Sequence, residues 1–478
     1  MELKIDEIAK AVDAEVMQKG NVSQITGVSI DTRTLKKGDL FIAIKGPHFD
    51  GHDFVGQAMD KGACGAVRSQ KTDIGRRTSD IRHQTSDVCL LTSDFWILEV
   101  DDTIHALGDI ASCWRNKVKC TVIAVTGSNG KSTTKEMIAS ALSATRKTIK
   151  TEGNFNNLIG LPLQAMRITP ETEIAVLEMG MSAKGEIKTL TEIARPTIGL
   201  ITNVNPAHLE KLHTVENVAL AKGELFEAMD PDGTIVVNAE DPWVVSLSKK
   251  YKGNKIYFGM QNNCDVRFGR MISEGLDKVG LTFYVGEKEY SMTLPVPGVH
   301  NVMNALAAVS AGIAAGASAD SMISGLENFS KMKMRMERVQ LANGVQLIND
   351  SYNANPSSMH AAFRTVSGAK RAGRFIAVLG DMLGLGEASS EKHSELGKNA
   401  ASFGVAKLFV TGSYAKDVAD GARKNGMDSA NVAVAADAEE LKKLVISEIK
   451  TGDIVLVKGS RGMRMEQVVE YLKDNVGV

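Results

Sequence analysis

Two rhythms of apolar residues alternate along most of this chain. Short runs rich in β-branched residues, such as Val122-Ile123-Ala124-Val125, Ile174-Ala175-Val176-Leu177 and Ile198-Gly199-Leu200-Ile201, are apolar at every position. That pattern predicts parallel strands covered on both faces. Between them, Ala, Leu, Met and Ile recur every three or four positions, which predicts helices over Ile104 to Lys117, Val215 to Met229 and onward from Gly298. Gly280 to Val285 and Tyr290 to Leu294 alternate instead, as an antiparallel pair would. The first stretch reads as short strands at Gly27 to Arg33 and Gly38 to Ile44, a turn at Phe49 to Asp53 and a helix from Phe54 to Gly62. The last third repeats the strand-helix alternation, with strands at Arg374 to Leu379, Lys407 to Val410 and within Asp453 to Ser460. The fold class is α/β with mainly parallel sheets of Rossmann type. For 478 residues the length prior is roughly three domains.

One stretch breaks the pattern. Thr-Ser-Asp recurs at 78, 85 and 92, and these cap-like polar residues do not make a coiled-coil seam. An exposed insertion over about 70–95 is expected.

The strongest chemical signal follows the first apolar run. Thr126-Gly127-Ser128-Asn129-Gly130-Lys131-Ser132-Thr133 joins a buried strand to a helix, as a phosphate-binding loop does. Val125 stands where the full pattern has its first glycine, so the loop is a shortened form. Glycines free the amide N–H groups to face phosphate oxygens, Lys131 brings positive charge, and Ser132 offers a hydroxyl to the magnesium that accompanies ATP.

Other polar residues punctuate the strand ends, where open α/β sheets bind ligands. Glu178 suits magnesium or a helix cap, and His208 suits a second metal or a structural hydrogen bond. Lys222 reads by itself as a snorkelling surface lysine. Asn154 and Asn157 suit phosphate or sugar contacts, and Asn304 an adenine edge. Asp31, Thr32 and Arg33 end a strand where a loop could hold a ligand, although Arg33 alone reads as a solvated turn residue.

Composition narrows the classes. A formal net charge of -1 gives no field for nucleic acid or an anionic membrane surface. Five cysteines without CxxC spacing read as reduced thiols. No apolar run approaches the roughly 18 residues of a membrane span, and the start Met-Glu-Leu-Lys-Ile-Asp-Glu lacks a signal pattern. A cytoplasmic protein is expected.

Taken together, the phosphate loop, Gly153-Asn154-Phe155-Asn156-Asn157, Leu177-Glu178-Met179-Gly180, Ala207-His208-Leu209, Ala221-Lys222-Gly223-Glu224, His300 to Asn304, Asp350-Ser351-Tyr352-Asn353-Ala354-Asn355-Pro356 and Lys458-Gly459-Ser460-Arg461 resemble the Mur ligase family over nearly the whole chain. Tyr352 to Pro356 and Leu379-Gly380-Asp381-Met382 resemble the members that add D-alanyl-D-alanine to UDP-N-acetylmuramoyl-tripeptide during peptidoglycan precursor synthesis.

The resemblance implies a UDP-substrate domain over 1–100, a central ATPase over 101–331 and a closing Rossmann-like domain over 332–478. It implies ATP, two magnesium sites, an acyl-phosphate intermediate and a monomer. Thr126 to Thr133 would hold ATP, with Lys131 on its phosphates, Asn304 on adenine, Asp350 on ribose and Arg335 on the γ-phosphate. Ser132, Glu178, His208 and a carbamylated Lys222 would face metal. Asp31, Thr32, Arg33, Asn154 and Asn157 would meet the sugar nucleotide, and Asn353, Asn355, Asp381 and Lys458 the dipeptide. Competing readings are another Mur ligase, a folylpolyglutamate synthetase, or a nucleotide-binding paralogue without ligation.

Overall fold

The computed structural model describes residues 1–69, 94–369 and 373–478. Residues 70–93, with Cys89 and nearly all of the Thr-Ser-Asp repeat, lie outside the described residues; Phe95, at the end of the insertion expected to be exposed, is instead buried in a hydrophobic core. The chain forms two compact units: Met1–Ala124 with Lys147–Met179 and Lys188–Pro196, and Val125–Arg146 with Gly180–Ile187 and Thr197–Val478.

The first unit contains a five-stranded sheet in the order Glu15–Gln18, Trp96–Val100, Gly65–Ser69, Asp39–Ile42, Gly27–Ser29. Only the Glu15–Gln18 edge runs antiparallel. Phe41, Ala43, Val55, Ala58, Ala66 and Ile97 form one core on it. The helix foreseen from Phe54 begins instead as a 3-10 turn at Gly51–Phe54, where Asp50 accepts the His52 N–H, and becomes α-helical at Val55–Asp60. The helix Thr103–Arg115 starts where Asp102 accepts the N–H groups of Ile104 and His105, at 2.7 and 3.0 Å. This unit also holds the parallel pair Thr148–Lys150 and Ile174–Glu178.

In the second unit, Ile198–Ile201, Thr234–Asn238, Asn254–Gly259 and Val266–Glu274 pair in parallel, and then Val279–Val285 and Lys288–Leu294 add the expected antiparallel meander. Every residue of Ile198–Ile201 is buried, as a strand covered on both faces requires. The helices Lys131–Ser143 and Val299–Ala314 pack beside one another.

The second unit ends in a six-stranded sheet in the order Glu337–Gln340, Gln346–Asp350, Ile454–Lys458, Phe375–Leu379, Lys407–Thr411, Val432–Ala435. All pairs are parallel except the first, a hairpin in which Glu337 lies opposite Asn349. The last strand, inserted between two earlier ones, brings the carboxyl ends of Gln346–Asp350, Ile454–Lys458 and Phe375–Leu379 side by side. No described helix is long and apolar enough to cross a membrane.

Candidate active site

The phosphate loop leaves the strand Thr121–Thr126 and enters the helix Lys131–Ser143. Two glycines shape it. Gly127 has φ 146° and Gly130 φ 80°, and a Cβ would sit 1.9 Å from Thr202 Oγ1 at the first and 2.4 Å from Asn304 Oδ1 at the second. Only glycine fits either place. Gly130 is also the N-cap of the helix, with no side chain to cap the first-turn amides. Those amides and the positive end of the helix suit an anion. Lys131 Nζ donates to the Gly127 carbonyl at 2.7 Å, inside the loop. Thr126 and Thr133 are buried at its two ends.

Neighbouring strand ends brace the loop. Thr202 N–H bonds to Thr126 O at 2.9 Å. Ser128 N–H donates to Asn203 O, Asn129 N–H to Asn203 Oδ1, and Ser128 Oγ to Asn205 O, all at 2.9 Å. Asn355 caps the helix Pro356–Gly368, accepting Ser358 N–H at 2.9 Å, and its Nδ2 donates to Asn129 Oδ1 at 2.6 Å. Asn355 therefore belongs to the loop as much as to its own helix.

Cationic groups gather here. Lys222, on the helix Val215–Ala228, is 2% exposed. Burial, then the Lys131 ammonium, lowers its pKa well below that of an ordinary lysine. His208 stands at an exposed rim in a left-handed conformation, φ 56°. Protein packed round the ring, then Lys222 and Lys131, bring its pKa down to about 4. It is thus neutral at pH 7, the form that ligates metal. Arg335 donates from Nη2 to Ser132 Oγ at 2.9 Å and lays its guanidinium 4.1 Å from the centroid of the Tyr352 ring. Its buried Nε has no acceptor.

This environment fits a polyphosphate: a helix N-terminus without a side-chain cap, the charged Lys131 and Arg335 side chains converging on it, and a buried guanidinium N–H still without an acceptor. Among the described residues, no three or more His, Cys, Asp or Glu side chains gather as a metal cage.

Glu178 ends the strand Ile174–Glu178 in the first unit. It is 2% exposed; its Oε1 accepts from Asn156 Nδ2 at 2.8 Å, and its N–H donates to Thr151 Oγ1 at 2.9 Å. Asn157, foreseen as a sugar ligand, accepts the N–H groups of Ile159 and Gly160 at 3.2 and 2.8 Å, as a helix cap does. Asn154 is exposed. Arg33, 86% exposed at its side chain, makes a 2.6 Å pair with Asp31. That pair holds the Asp31 carboxyl at about 2. Thr32 is buried against Gln57.

In the second unit, two residues differ in setting from the roles the resemblance implied. Asn304 Nδ2 donates to Asn301 Oδ1 at 3.0 Å and its Oδ1 accepts from Thr134 Oγ1 at 3.3 Å, so the carboxamide is wedged under Gly130. Asp350 accepts Met336 N–H on Oδ1 at 3.1 Å and Lys458 Nζ on Oδ2 at 2.6 Å. A ribose would have to share those oxygens.

The dipeptide candidates do gather at the carboxyl ends of adjacent strands. Lys458 Nζ also reaches Asn353 O at 2.9 Å, and Ser460 links Asp381 O to Ala354 O at 3.0 and 3.2 Å. Asp381 is 3% exposed and accepts the Ser413 and Tyr414 N–H groups at 2.7 and 3.2 Å.

Asn203 and Asn205 were not singled out from the sequence. Both follow the strand Ile198–Ile201 at the sheet's carboxyl edge, the same signal that picked out Glu178 and His208.

Family models place a Mur ligase catalytic domain on residues 24–115, a Mur ligase middle domain on 125–312 and a Mur ligase glutamate ligase domain on 334–461. The UDP-N-acetylmuramoyl-tripeptide--D-alanyl-D-alanine ligase of Bacillus subtilis is 35% identical, over 94% of this chain and 93% of its own length. A crystal structure of MurF from Acinetobacter baumannii superposes with a TM-score of 0.87 at 28% identity, covering 99% of both chains. MurF ligase from Thermotoga maritima, solved in complex with ADP, gives 0.80 at 27% identity over 94% of this chain and 97% of that one. Three domain models follow one another along the sequence and a full-length relative shares a third of its residues, so the chain belongs to the Mur ligase family.

Proposed function

We propose that this protein is an ATP-dependent ligase that joins D-alanyl-D-alanine to UDP-N-acetylmuramoyl-tripeptide in the cytoplasm, acting as a monomer. The observation that carries the reading is the convergence of Lys131 and Arg335 on a helix N-terminus that has no side-chain cap, with the buried Lys222 and a neutral His208 beside them. Such a site stabilises charge on a transferred phosphoryl group and supplies no nucleophile of its own. The nucleophile is then the acceptor's terminal carboxylate: its oxygen attacks the γ-phosphorus, the bond to the β-phosphate oxygen breaks, and the dipeptide amine later displaces phosphate to form the amide. Lys131 and the loop amides bind the phosphates, and Arg335 neutralises charge as it develops. Ser132, Glu178, His208 and Lys222 are the residues that would hold magnesium. When bound, magnesium neutralises phosphate charge and orients the oxygens.

The functional division into 1–100, 101–331 and 332–478 belongs to the same proposal. Asp31, Thr32, Arg33, Asn154 and Asn157 serve the sugar nucleotide, Asn304 and Asp350 the nucleoside of ATP, while Asn353, Asn355, Asp381 and Lys458 border the dipeptide. The assay is phosphate release with a panel of UDP-sugar peptides and amino-acid or dipeptide donors. Release should require magnesium, the UDP-linked tripeptide and D-alanyl-D-alanine together. Turnover with a single amino acid or with a folate acceptor would move the assignment to another branch of the family. Rapid ATP hydrolysis without acceptor would remove the ligase reading.

A further inference from the structure

The backbone of the segment that delivers Arg335 is doubly strained. Met334 and Met336, on either side of the arginine, both adopt left-handed conformations, with φ 58° and 49°. Non-glycine residues hold such angles only where their surroundings over-determine them, and such residues cluster at functional sites. Here two side chains, Glu337 and Asp350, and one main-chain bond do so. Glu337 Oε2 accepts the Met334 N–H at 2.9 Å, and Asn349 Nδ2 reaches the same oxygen at 3.0 Å from across the hairpin. Tyr352 N–H donates to Met334 O at 3.2 Å. Asp350 Oδ1 accepts the Met336 N–H at 3.1 Å, while Lys458 holds the other carboxylate oxygen. The Tyr352 ring then covers one face of the guanidinium and leaves its edge toward Ser132.

We infer that Glu337, Asp350 and Tyr352 are positioning residues that hold Arg335 against the phosphate loop. The inference rests on the proposed role of Arg335 at the transferred phosphoryl group. A guanidinium is planar and directional, so its contribution depends on where its fork points. An unrestrained Arg335 would be present but misplaced, and misplacement by about 1 Å costs on the order of 100-fold in rate. Tyr352 and Glu337 act through Arg335, so removing them should do nothing more once the arginine is gone.

The test uses the full-length enzyme and the variants R335A, Y352L, Y352F, E337L, E337Q and R335A/Y352L, with kcat and KM measured for ATP and for the UDP-linked acceptor. Y352L should lower kcat by about 10- to 100-fold and leave both KM values within about twofold. Y352F keeps the ring face and should match the parent. E337Q keeps a carbonyl acceptor for the Met334 N–H and should stay close to the parent, whereas E337L should behave like Y352L. The double variant should be no slower than R335A alone. Multiplying losses in the double variant, or parental kcat in Y352L, would overturn the inference. So would a rise in the KM for ATP at constant kcat, which would place the ring on the nucleotide. If Y352L lacks a cooperative thermal transition, the contrast of E337L with E337Q decides by the same criteria. Parental activity in R335A would instead overturn the role of the arginine itself, an outcome distinct from the failure of its clamp.

Discussion

Replacing Lys131 with alanine is expected to lower kcat by on the order of 1000-fold or more, the scale on which preorganised charge acts in such sites, and to leave thermal unfolding nearly unchanged. The asymmetry follows from where the ammonium spends its bonds. It donates to the Gly127 and Ser128 carbonyls of its own loop, at 2.7 and 3.4 Å, so truncation removes local contacts and leaves no large cavity. The transferred phosphoryl group, in contrast, needs a compact positive charge at that spot. Lys131→Arg should rescue little, because a wide planar fork does not replace a point charge in a loop closed by Thr202 and Asn304. A Lys131→Ala enzyme retaining a tenth of parental turnover would take the loop out of the mechanism.

The second large effect concerns Lys222. Two unit charges of one sign about 4 Å apart cost about 4 kcal/mol at an effective dielectric of about 20, so a protonated amine buried beside Lys131 and facing magnesium would oppose the site. Burial and Lys131 both favour the neutral amine. That amine can add CO2, losing a proton to become a carbamate and exchanging an unfavourable cation for an anion that metal can use. Lys222→Ala is therefore expected to lose on the order of 100- to 1000-fold in kcat, and short carboxylic acids should restore part of it by standing where the carbamate stood. Lys222→Glu should be a poorer substitute, because its stem is shorter. Intact-mass measurement of active enzyme should find the added CO2. Near-parental turnover in Lys222→Ala, with an unmodified mass, would return the residue to the role of a packed lysine.

Much of the fold was legible because its strands are apolar on both faces. The run ending at Thr126, the run ending at Glu178 and the meander of Val279–Val285 and Lys288–Leu294 form close to where periodicity puts them. The phosphate loop was legible for a different reason: Gly127 and Gly130 are forced by close approach and backbone angle, so the residue type itself carries the geometry. What was not legible depends on partners distant in sequence. Nothing in Met334 or Met336 announces a left-handed backbone, which is imposed by Glu337, Asp350 and Tyr352. Asn304 carries the chemistry to read a base edge, and only the fold reveals that its carboxamide also lies under Gly130 and bonds to Asn301 and Thr134. Asn355 looks like a dipeptide ligand in a row of asparagines, and only the fold reveals that Asn129 takes its amide. Lys222 and a surface lysine are indistinguishable until burial separates them.

The contact between Asn355 and Asn129 also bears on how the protein ages. Asn129 precedes a glycine, and Asn-Gly is a thermolabile pairing, because the unhindered glycine nitrogen can close on the carboxamide, expel ammonia and leave aspartate or isoaspartate. A negative charge there would sit in a site made for phosphate. The same bonds that shape the loop immobilise the vulnerable group: Asn355 holds Asn129 Oδ1 at 2.6 Å, and Thr202 and Asn203 hold its main-chain carbonyl at 2.5 and 3.1 Å. Asn425, followed by Gly426 at an exposed helix end, has a side-chain bond only to the Gly421 carbonyl, at 2.8 Å. Peptide mapping of protein stored warm at mildly alkaline pH should find isoaspartate at 425 well before 129, and an Asn355→Ala variant should lose that protection along with its activity. Equal rates at the two sites would show that the clasp confers no chemical durability.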